Sequence, residues 1–538
     1  MAAAMTAHEE GISSVIVEKA ATIGGSTTLS GGGIWIPNNP TLRRLGHDDS
    51  RESIRRYLDI LTKGEVPAAK LDAYVDRGPE AMALLERSRW VKFGWTKGYA
   101  DYHPELDGGR PLGRSIEPAP FDTRKMGELE AEHGPNSMVG PMGLWVTQKD
   151  YRQLAMSQRT WDGRSALVKA AWRVASNAVR RRHMATGGRA LISRLRMSLR
   201  DKGIPIWLNS PMTGILRNDD GRVAGIEIER DGRVQRIGAR LGVLLACGGF
   251  DHNLEMREKH LPEDVTGDLS LGARSNTGDG ILLASDLGAG VGFMDDAWWM
   301  PSLRAPSGRM LPLVSERAIP SQIIVDATGK RFTNEASPYV NFVHDQLAGR
   351  HFPAWCIFDS RSRARYPFAQ VLAGQKFPGR WYKAGIVHRA DTIEALADSI
   401  GVPSGALTAT LERFNEFART GTDADFHRGE SAHDRYYGDP TLPNPNLDVI
   451  DKAPFYAVRI EAGDLGTKGG VTTDEFARVL TEDGSVLEGL YATGNTSASV
   501  MGREYAGPGA TIGPSIVFGH IAARHAAGQA ARRSAPAR

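Results

Sequence analysis

One short stretch near the start of the chain limits the fold more than any other. Residues 12–33 read ISSVIVEKAATIGGSTTLSGGG, an apolar run that ends in the acid Glu18 and passes into a loop of glycine and serine. In dinucleotide-binding folds, an acid at the end of a parallel strand hydrogen-bonds a ribose hydroxyl about 20 residues after a glycine turn. The stretch therefore predicts a Rossmann-like α/β fold with Glu18 at a ribose.

The glycine turn that should precede this strand is missing from the printed sequence. The residues before the strand, MAAAMTAHEEG, have the composition of the helix that normally follows such a turn. The turn would supply backbone amides and a helix terminus to a pyrophosphate. We therefore expect the printed chain to bind a dinucleotide poorly and to leave one edge of its central sheet unpaired. A start codon assigned too far downstream is the expected cause.

Length and composition exclude several classes of protein. A chain of 538 residues should hold at least two domains, and its net charge of +3 does not indicate a nucleic-acid partner. Two cysteines allow neither a disulfide framework nor a thiolate cluster, and no His, Cys and Asp residues have metal-ligand spacing, so we predict no metal. No apolar run reaches the ~20 residues that span a bilayer. We expect a cytoplasmic protein with no transmembrane segment, at most peripheral to a membrane.

Hydrophobic periodicity predicts the order of the elements. Two amphipathic helices follow the opening loop, and a long loop with Tyr99 and Tyr102 comes after them. From Gly187 the pattern predicts a helix, a strand and hairpins that turn at Asp-Gly pairs, and then an apolar strand of the main sheet that ends near Gly248. Residues 298–454 do not follow this order of helix and strand patterns. We predict a discontinuous domain of residues 1–297 and 455–538 with an inserted domain of residues 298–454.

Six segments, in a fixed order along the chain, carry a resemblance to a known family. They read VIVEKAATIGGSTTLSGGGIWIPNN, LLACGGFDHN, SNTGDGILLASDLGA, GKRFTNEASPY, GGVTTD and LYATGN. The chain resembles, over nearly its whole length, the flavoproteins of the fumarate reductase and succinate dehydrogenase superfamily. The resemblance implies FAD as the cofactor and an FAD-binding domain with an inserted domain that caps the substrate.

The resemblance also implies which residues hold the FAD. Glu18 would bind the adenosine ribose, and the glycine loop would line the pyrophosphate and the flavin. The remaining FAD contacts would come from the later motifs. The implied set is Glu18, Gly24, Gly25, Ser26, Thr27, Ser30, Gly31, Gly32, Ala246, Gly248, Asp279, Asn495, Thr511 and Ser515.

Within the superfamily, the substrate side of the chain favours one branch. The segments YADYHPE, NEASPY and REYAGPGATIGPS each carry a tyrosine and resemble the 3-ketosteroid Δ1-dehydrogenases. The resemblance implies desaturation of a steroid A ring between C1 and C2, with hydride transfer from C1 to flavin N5. Tyr505 and the amide of Gly509 would hold the ketone oxygen, Tyr339 would take the C2 proton, and Tyr102 would polarise Tyr339 or relay its proton.

Chemistry gives a reason for tyrosines in these positions. A C2 hydrogen beside a ketone becomes acidic only when the charge that develops on the oxygen is stabilised, and a phenol with a backbone amide does this in an apolar pocket without an ionised group. A phenol with an ordinary pKa of ~10 must have that pKa lowered, or must act through a hydrogen-bonded relay, to serve as a base near neutral pH.

Two alternatives remain open on the sequence. Arg503 lies near the last glycine loop and could clamp a substrate carboxylate, as in a reductase of a fumarate-like unsaturated acid. A flavin-free remnant is the other alternative if the N-terminus is genuine. The sequence does not identify the steroid or the electron acceptor, for which a quinone is one candidate.

Overall fold

Helices and strands alternate along residues 1–134 and 144–534, the part of the chain that this computed structural model describes. The helices are α1 (Ala2–Glu9), α2 (Gly25–Leu29), α3 (Pro40–Arg44), α4 (Arg51–Thr62), α5 (Ala68–Glu86), α6 (Gln148–Ala155), α7 (Trp161–Arg180), α8 (Gly187–Asp201), α9 (Leu254–His260), α10 (Asp279–Ser285), α11 (Tyr339–Ala348), α12 (Ser360–Arg365), α13 (Gly379–Lys383), α14 (Ile393–Ile400), α15 (Ser404–Thr420), α16 (Ala432–Tyr436) and α17 (Ile512–Ser534).

The strands are mostly short, and the sequence pattern placed the main ones correctly. They are β1 (Ile16–Val17), β2 (Ile34–Trp35), β3 (Phe93–Trp95), β4 (Ser115–Pro118), β5 (Phe121–Asp122), β6 (Met184–Ala185), β7 (Ile206–Trp207), β8 (Met212–Arg217), β9 (Val223–Arg230), β10 (Arg233–Gly238), β11 (Val243–Leu245), β12 (Val291–Gly292), β13 (Ala297–Arg304), β14 (Met310–Pro312), β15 (Gln322–Val325), β16 (Ala354–Asp359), β17 (Val387–Ala390), β18 (Phe455–Thr467), β19 (Gly470–Val471), β20 (Arg478–Leu480) and β21 (Val486–Ala492). The predicted α/β class is confirmed.

The parallel strands of the dinucleotide-binding fold form two separate groups. Strand β1 pairs in parallel with β7, and strand β11 pairs in parallel with β21, which also pairs with the antiparallel β20. Among the described residues, no strand joins β1 to β11. Strands β1 and β11 therefore belong to separate sheets.

A larger antiparallel sheet lies in the second half of the chain. Its strands follow the order β14, β13, β18, β16 and β15, and β17 also pairs with β18. Strand β18 spans thirteen residues and pairs antiparallel with β13 at one end and with β16 at the other. Strand β18, which begins at Phe455, therefore forms one sheet with strands of residues 297–390.

Side-chain caps fix the starts of several helices. Helix α4 begins where the Ser50 side chain accepts a hydrogen bond from the Ser53 amide. Helix α6 begins with a capping box, in which Thr147 and Asp150 each accept from the other's backbone amide. Such caps satisfy amides that have no partner within the helix and stabilise its first turn by about 1 kcal/mol.

The helix predicted before the first strand is present and packs on the last helix. The Thr6 hydroxyl of α1 lies 3.0 Å from Nδ1 of His520 on α17, and both side chains are buried. In the described ranges, no helix combines the length and the apolar character needed to cross a bilayer.

Three buried histidines should make the fold sensitive to acid. Burial lowers the pKa of His433 to about 3 and the pKa values of His133 and His520 to about 4. The folded chain keeps these rings neutral, while the unfolded chain takes up protons near the ordinary pKa of 6.5. Their contribution to stability is complete above that pH and is lost as the pH falls toward 4, by about 1.4 kcal/mol per histidine and pH unit.

Thermal melts between pH 8 and pH 4 test this expectation. The melting temperature of the wild type should fall below pH ~6.5. His520→Asn should make the fall less steep, and His427→Asn, at an exposed side chain, should leave its slope unchanged. Equal slopes for the wild type and His520→Asn would contradict the expectation.

Candidate functional site

One cavity brings together all of the site residues that the sequence predicts. Its volume is about 2740 Å³, well above the ~300–1,000 Å³ of an ordinary ligand pocket, so it has room for a dinucleotide and a second ligand. Residues of both β1 and β11 line the cavity. The predicted residues that line it are Glu18, Gly24, Gly25, Ser26, Thr27, Ser30, Gly31, Gly32, Tyr102, Ala246, Gly248, Asp279, Tyr339, Asn495, Tyr505, Gly509, Thr511 and Ser515.

The glycine loop packs backbone against backbone on the start of α8. A Cβ atom at Gly32, where φ is +71°, would lie 2.3 Å from the carbonyl carbon of Gly187. A Cβ atom at Gly188 would lie 1.6 Å from the carbonyl oxygen of Thr27. No side chain fits at these positions, so the backbones of the loop and of α8 stay in direct contact beside the cavity.

Two carboxylates lie where β1 passes into the loop. Glu18 follows β1 and accepts a hydrogen bond of 2.8 Å from the Ala20 amide, and burial raises the pKa of its carboxyl. Asp279 begins α10 and pairs with Lys19 at 2.8 Å. Lys19 also donates to Thr277 at 2.5 Å, which ties the first strand to the α10 motif. The two acids thus line one cavity at adjacent elements of the fold.

Ser26 connects the glycine loop with a residue that the sequence analysis did not select. Its hydroxyl accepts hydrogen bonds of 2.9 Å from the Ala273 amide and from the Asn276 side-chain amide. A Cβ atom at Gly248 would lie 2.5 Å from Asn276 Oδ1, so this asparagine also fixes the end of β11. Asn276 directly precedes the Thr277-Gly-Asp-Gly motif, and this position beside a predicted cofactor motif is the sequence feature that could have identified it.

Three tyrosines from three separate segments meet in the interior. The ring centroids of Tyr102 and Tyr339 are 5.3 Å apart, those of Tyr102 and Tyr505 are 5.0 Å apart, and those of Tyr339 and Tyr505 are 5.5 Å apart. All three contacts are edge to face, and all three side chains are buried. The rings therefore converge around one small volume at the cavity wall.

The amide of Gly509 lies beside this cluster. Gly509 has φ of +99°, and a Cβ atom there would lie 2.2 Å from the backbone of Gly33. Its amide favours the ionised form of the Tyr505 phenol, while burial, the larger effect, raises the pKa of Tyr505. The Tyr505 hydroxyl is also 3.5 Å from the Thr511 hydroxyl. A phenol and an amide are thus neighbours at the cavity wall, and each is a group that can donate to a ligand oxygen.

Burial raises the pKa of all three phenols and so keeps them neutral. A phenol that acts as a base by ionising would instead need a lowered pKa. Burial and then the neighbouring Tyr505 raise the pKa of Tyr339 well above its ordinary value. Burial and then Tyr339 raise the pKa of Tyr102 in the same way. Of the two routes to a phenol base, the surroundings therefore favour the relay.

A buried arginine beside the cluster is a second residue that the sequence analysis missed. Burial lowers the pKa of Arg317 to about 10, and the electrostatic effect of the nearby Tyr102 raises it in opposition. The guanidinium donates to the carbonyl oxygens of Glu335 and Ser337 at 2.6 and 3.1 Å, so its position is fixed. No motif marks Arg317 in the sequence, because its proximity to Tyr102 arises only from the folding of distant segments.

Arg503 lies away from the cavity. Its side chain is 41% exposed and pairs with Glu65 at 3.3 Å and Asp295 at 3.0 Å. It is not among the residues that line the cavity. This placement does not support a carboxylate clamp at Arg503. Within the described residues, no group of three or more His, Cys, Asp or Glu side chains could hold a metal ion.

The residues present fit an FAD. The cofactor cradle, formed by residues 24–33 with Glu18 and Asp279, combines glycines that let backbone approach a ligand with two carboxylates that line the same cavity. These are groups that a dinucleotide requires. The tyrosine cluster lines the same cavity, so a flavin in the cradle and a second ligand beside the tyrosines would share one space.

Comparison with protein families gives a match along most of the chain. The family described as FAD binding domain matches residues 1–512. A 3-oxosteroid 1-dehydrogenase of Mycolicibacterium smegmatis is 46% identical over 99% of this chain and 96% of its own length. A 3-oxosteroid 1-dehydrogenase of Mycobacterium tuberculosis is also 46% identical, over 99% and 97%.

A solved structure has a similar fold throughout. The 3-ketosteroid delta1-dehydrogenase from Sterolibacterium denitrificans, crystallised in complex with 1,4-androstadiene-3,17-dione, superimposes with a TM-score of 0.93. Its sequence is 37% identical, and the match covers 98% of this chain and 97% of that one.

Valine at Gly32 should remove bound flavin. Gly32→Val places a branched side chain against the backbone of α8, whereas Gly203→Val is a matched control, with φ of +68° and no atom within 4 Å of the added Cβ. We expect the affinity of Gly32→Val for FAD to fall at least about tenfold, because overpacking of this kind costs about 1–3 kcal/mol. The ratio of flavin to protein absorbance measures the loss, and equal ratios for the two variants would contradict it.

Proposed function

Because the chain belongs to the family described as FAD binding domain, we propose that it is an FAD-dependent 3-ketosteroid Δ1-dehydrogenase. It desaturates the A ring of a 3-ketosteroid between C1 and C2. The observation that carries the proposal is the cluster of Tyr102, Tyr339 and Tyr505 beside the Gly509 amide, in the cavity that also contains the glycine loop.

The ketone oxygen of the substrate binds between Tyr505 and Gly509. Both donors are neutral, so an apolar steroid ring does not have to bury an ion against them. Their hydrogen bonds strengthen as charge develops on the oxygen, which stabilises the transition state more than the ground state. Tyr505 also packs at 4.8 Å on the Trp298 ring, which fixes the direction of its hydroxyl.

The C2 proton moves to the Tyr339 oxygen as the Tyr339 hydroxyl proton moves to Tyr102 and the Tyr102 hydroxyl proton leaves to water in the cavity, which Tyr102 lines. Each phenol ends the step neutral, and one proton is released. A concerted relay avoids a free phenolate, which burial makes costly at both residues. The buried Arg317 charge lowers the cost of the negative charge that is shared along the relay. Tyr339 therefore acts as a base without a lowered pKa.

FAD supplies the acceptor for the hydride that leaves C1. For the next acceptor of the two electrons we propose a quinone, which takes up two electrons and two protons. The glycine loop, Glu18 and Asp279 hold the cofactor, and Asn495, Thr511 and Ser515 line its remaining side. Asn495 is held in place by the Trp298 indole, which donates to it at 3.2 Å.

Aromatic walls beside the tyrosine cluster favour a flat polycyclic substrate. Tyr99 stacks on Tyr436 at 4.4 Å and contacts Tyr437 edge to face at 5.5 Å. Tyr99 and Tyr437 line the cavity on the tyrosine side. Apolar faces of this kind bury a steroid skeleton better than a small dicarboxylate, which requires fixed cations.

We also propose that the chain forms the two domains predicted from its hydrophobic periodicity. Residues 1–297 and 455–538 form the FAD-binding domain, and residues 298–454 form the capping domain. Tyr339 belongs to the second unit and Tyr102 and Tyr505 to the first, so the catalytic cluster spans both. A cytoplasmic location fits the two unpaired cysteines, Cys247 and Cys356.

Phenylalanine at Tyr339 should remove turnover while the flavin stays bound. Tyr339→Phe keeps the ring contacts and deletes the proton-accepting oxygen, so kcat with a 3-ketosteroid should fall at least about a hundredfold. Tyr366→Phe is a matched control, because Tyr366 is a buried tyrosine that bonds Asp439 and does not line the cavity. Full turnover of Tyr339→Phe at unchanged flavin content would refute the role of Tyr339.

A further inference from the structure

The carboxyl of Glu316 lies in the wall of the main cavity and has no part in the chemistry described above. Glu316 begins a short 3-10 turn, Glu316–Ala318, and is buried. It lines the same cavity as the tyrosine cluster. Arg317, the next residue, donates to the carbonyl oxygens of Glu335 and Ser337. Because a glutamate is rarely buried unless it is paired, this acid in a ligand cavity indicates a contact with a ligand.

The surroundings of Glu316 favour its protonated form. Its carboxyl accepts hydrogen bonds from the Ala369 amide at 3.2 Å and from the Ser315 hydroxyl at 3.4 Å. The contact with Ser315 is long for a hydrogen bond between two oxygens. Burial raises the pKa of Glu316 and outweighs the opposite effect of these donors. The acid proton is therefore available to an oxygen of a ligand in the cavity.

Two hydroxyl groups extend this polar part of the wall. The Tyr151 hydroxyl is 2.8 Å from the Ser315 hydroxyl, and Tyr151 also lines the cavity. Burial, and then the nearby Glu316, raise the pKa of Tyr151, so its phenol stays neutral. Tyr151, Ser315 and Glu316 thus form one hydrogen-bonded set, which we call the distal polar group. Its members are neutral groups that can bind an uncharged oxygen substituent.

A row of aromatic rings joins the tyrosine cluster to the distal polar group. The ring centroids of Tyr505 and Tyr102 are 5.0 Å apart, and those of Tyr102 and Tyr99 are 6.3 Å apart. Tyr99 lies 5.5 Å from Tyr437, and Tyr437 lies 6.4 Å from Tyr151. All five tyrosines line the cavity. Tyr505 and the distal polar group therefore lie at opposite ends of this aromatic row.

Apolar side chains precede Glu316 along the cavity wall. Met310, Leu311 and Val314 all line the cavity. Together with the aromatic row they offer an apolar surface that has hydrogen-bonding groups at each end. A ligand that matches this wall has an apolar body with one oxygen at each end, because convergent polar groups fix the orientation of a ligand in an apolar pocket.

We propose that Glu316 determines specificity by donating a hydrogen bond to an oxygen substituent at the end of the steroid remote from the 3-ketone. The inference rests on the proposed function and narrows its substrate class to 3-ketosteroids that carry a ketone or a hydroxyl on the D ring. A steroid with only hydrocarbon at that end leaves the acid proton without an acceptor in an apolar pocket. An unpaired buried donor costs more than its hydrogen bond contributes, so the site disfavours such a steroid.

Two steroids that differ at one carbon test the proposal with the flavin-loaded protein. Androst-4-ene-3,17-dione carries a ketone at C17, and androst-4-en-3-one carries only hydrogens there. The kcat/KM of the wild type should be at least about tenfold higher for the dione. Most of the difference should be in KM, because a contact remote from the reacting carbons stabilises the bound substrate and the transition state equally.

Substitutions of Glu316 separate hydrogen bonding from shape. Glu316→Leu removes the donor and should lower the preference for the dione at least about tenfold. Glu316→Gln keeps an acceptor for the Ala369 amide and a donor for the ligand, so it should retain most of the preference. Asp359→Asn is a matched control that should keep the wild-type preference, because Asp359 is a buried acid whose pKa burial also raises and it does not line the cavity. Thermal melts verify the fold of each variant.

The outcomes distinguish this inference from the function on which it rests. Equal kcat/KM of the wild type for the two steroids would overturn the inference and leave the proposed function intact. The same holds if Glu316→Leu keeps the wild-type preference, or if Glu316→Gln loses it as completely as Glu316→Leu does. Oxidation of neither steroid by the wild type would overturn the proposed function and the inference together.

Discussion

The contact between the backbones of Gly33 and Gly509 holds the two halves of the site together. Gly33 ends the glycine loop near the start of the chain, and Gly509 follows the last glycine motif. A Cβ atom at Gly509 would lie 2.2 Å from the Gly33 carbonyl carbon, and the Trp35 amide donates to the Gly509 carbonyl at 3.2 Å. This contact places the cofactor cradle directly beside the amide and the phenol that would hold a ketone oxygen.

The chemistry that we propose depends on exclusion of water from the tyrosine cluster. Burial makes a free phenolate costly at each of the three tyrosines, and the same burial strengthens every hydrogen bond to a developing oxyanion. The site resolves this conflict by sharing charge between neutral donors and the fixed guanidinium of Arg317. A single ionised residue in contact with the substrate would lose this advantage.

The motifs of the sequence identified the cradle and the tyrosines because each motif is local. Glu18 at the end of a strand, the glycine loop and the Thr277-Gly-Asp-Gly turn can each be read within a few residues. Glu18, the predicted residues of the glycine loop, Asp279 and the tyrosines line one cavity, and their individual roles remain predictions. The sequence did not identify Asn276 or Arg317, because their neighbours lie far away along the chain.

Other features of the structure could not be predicted from the sequence, because they depend on what packs around each helix or strand. The apolar residues of α7 follow helical periodicity, which predicts a helix but not which side faces the core; the small residues Gly163, Ala166 and Ala170 are buried instead. Strands β1 and β11 belong to different sheets. The size of the space between them follows only from the packing of both sheets.

Anaerobic titration of the flavin-loaded protein tests the central claim most directly. Androst-4-ene-3,17-dione should bleach the visible absorbance of the flavin, and the product should carry a new C1–C2 double bond. An oxidised flavin that persists in excess steroid, together with reoxidation of the chemically reduced protein by fumarate, would contradict the account and identify a reductase of unsaturated acids.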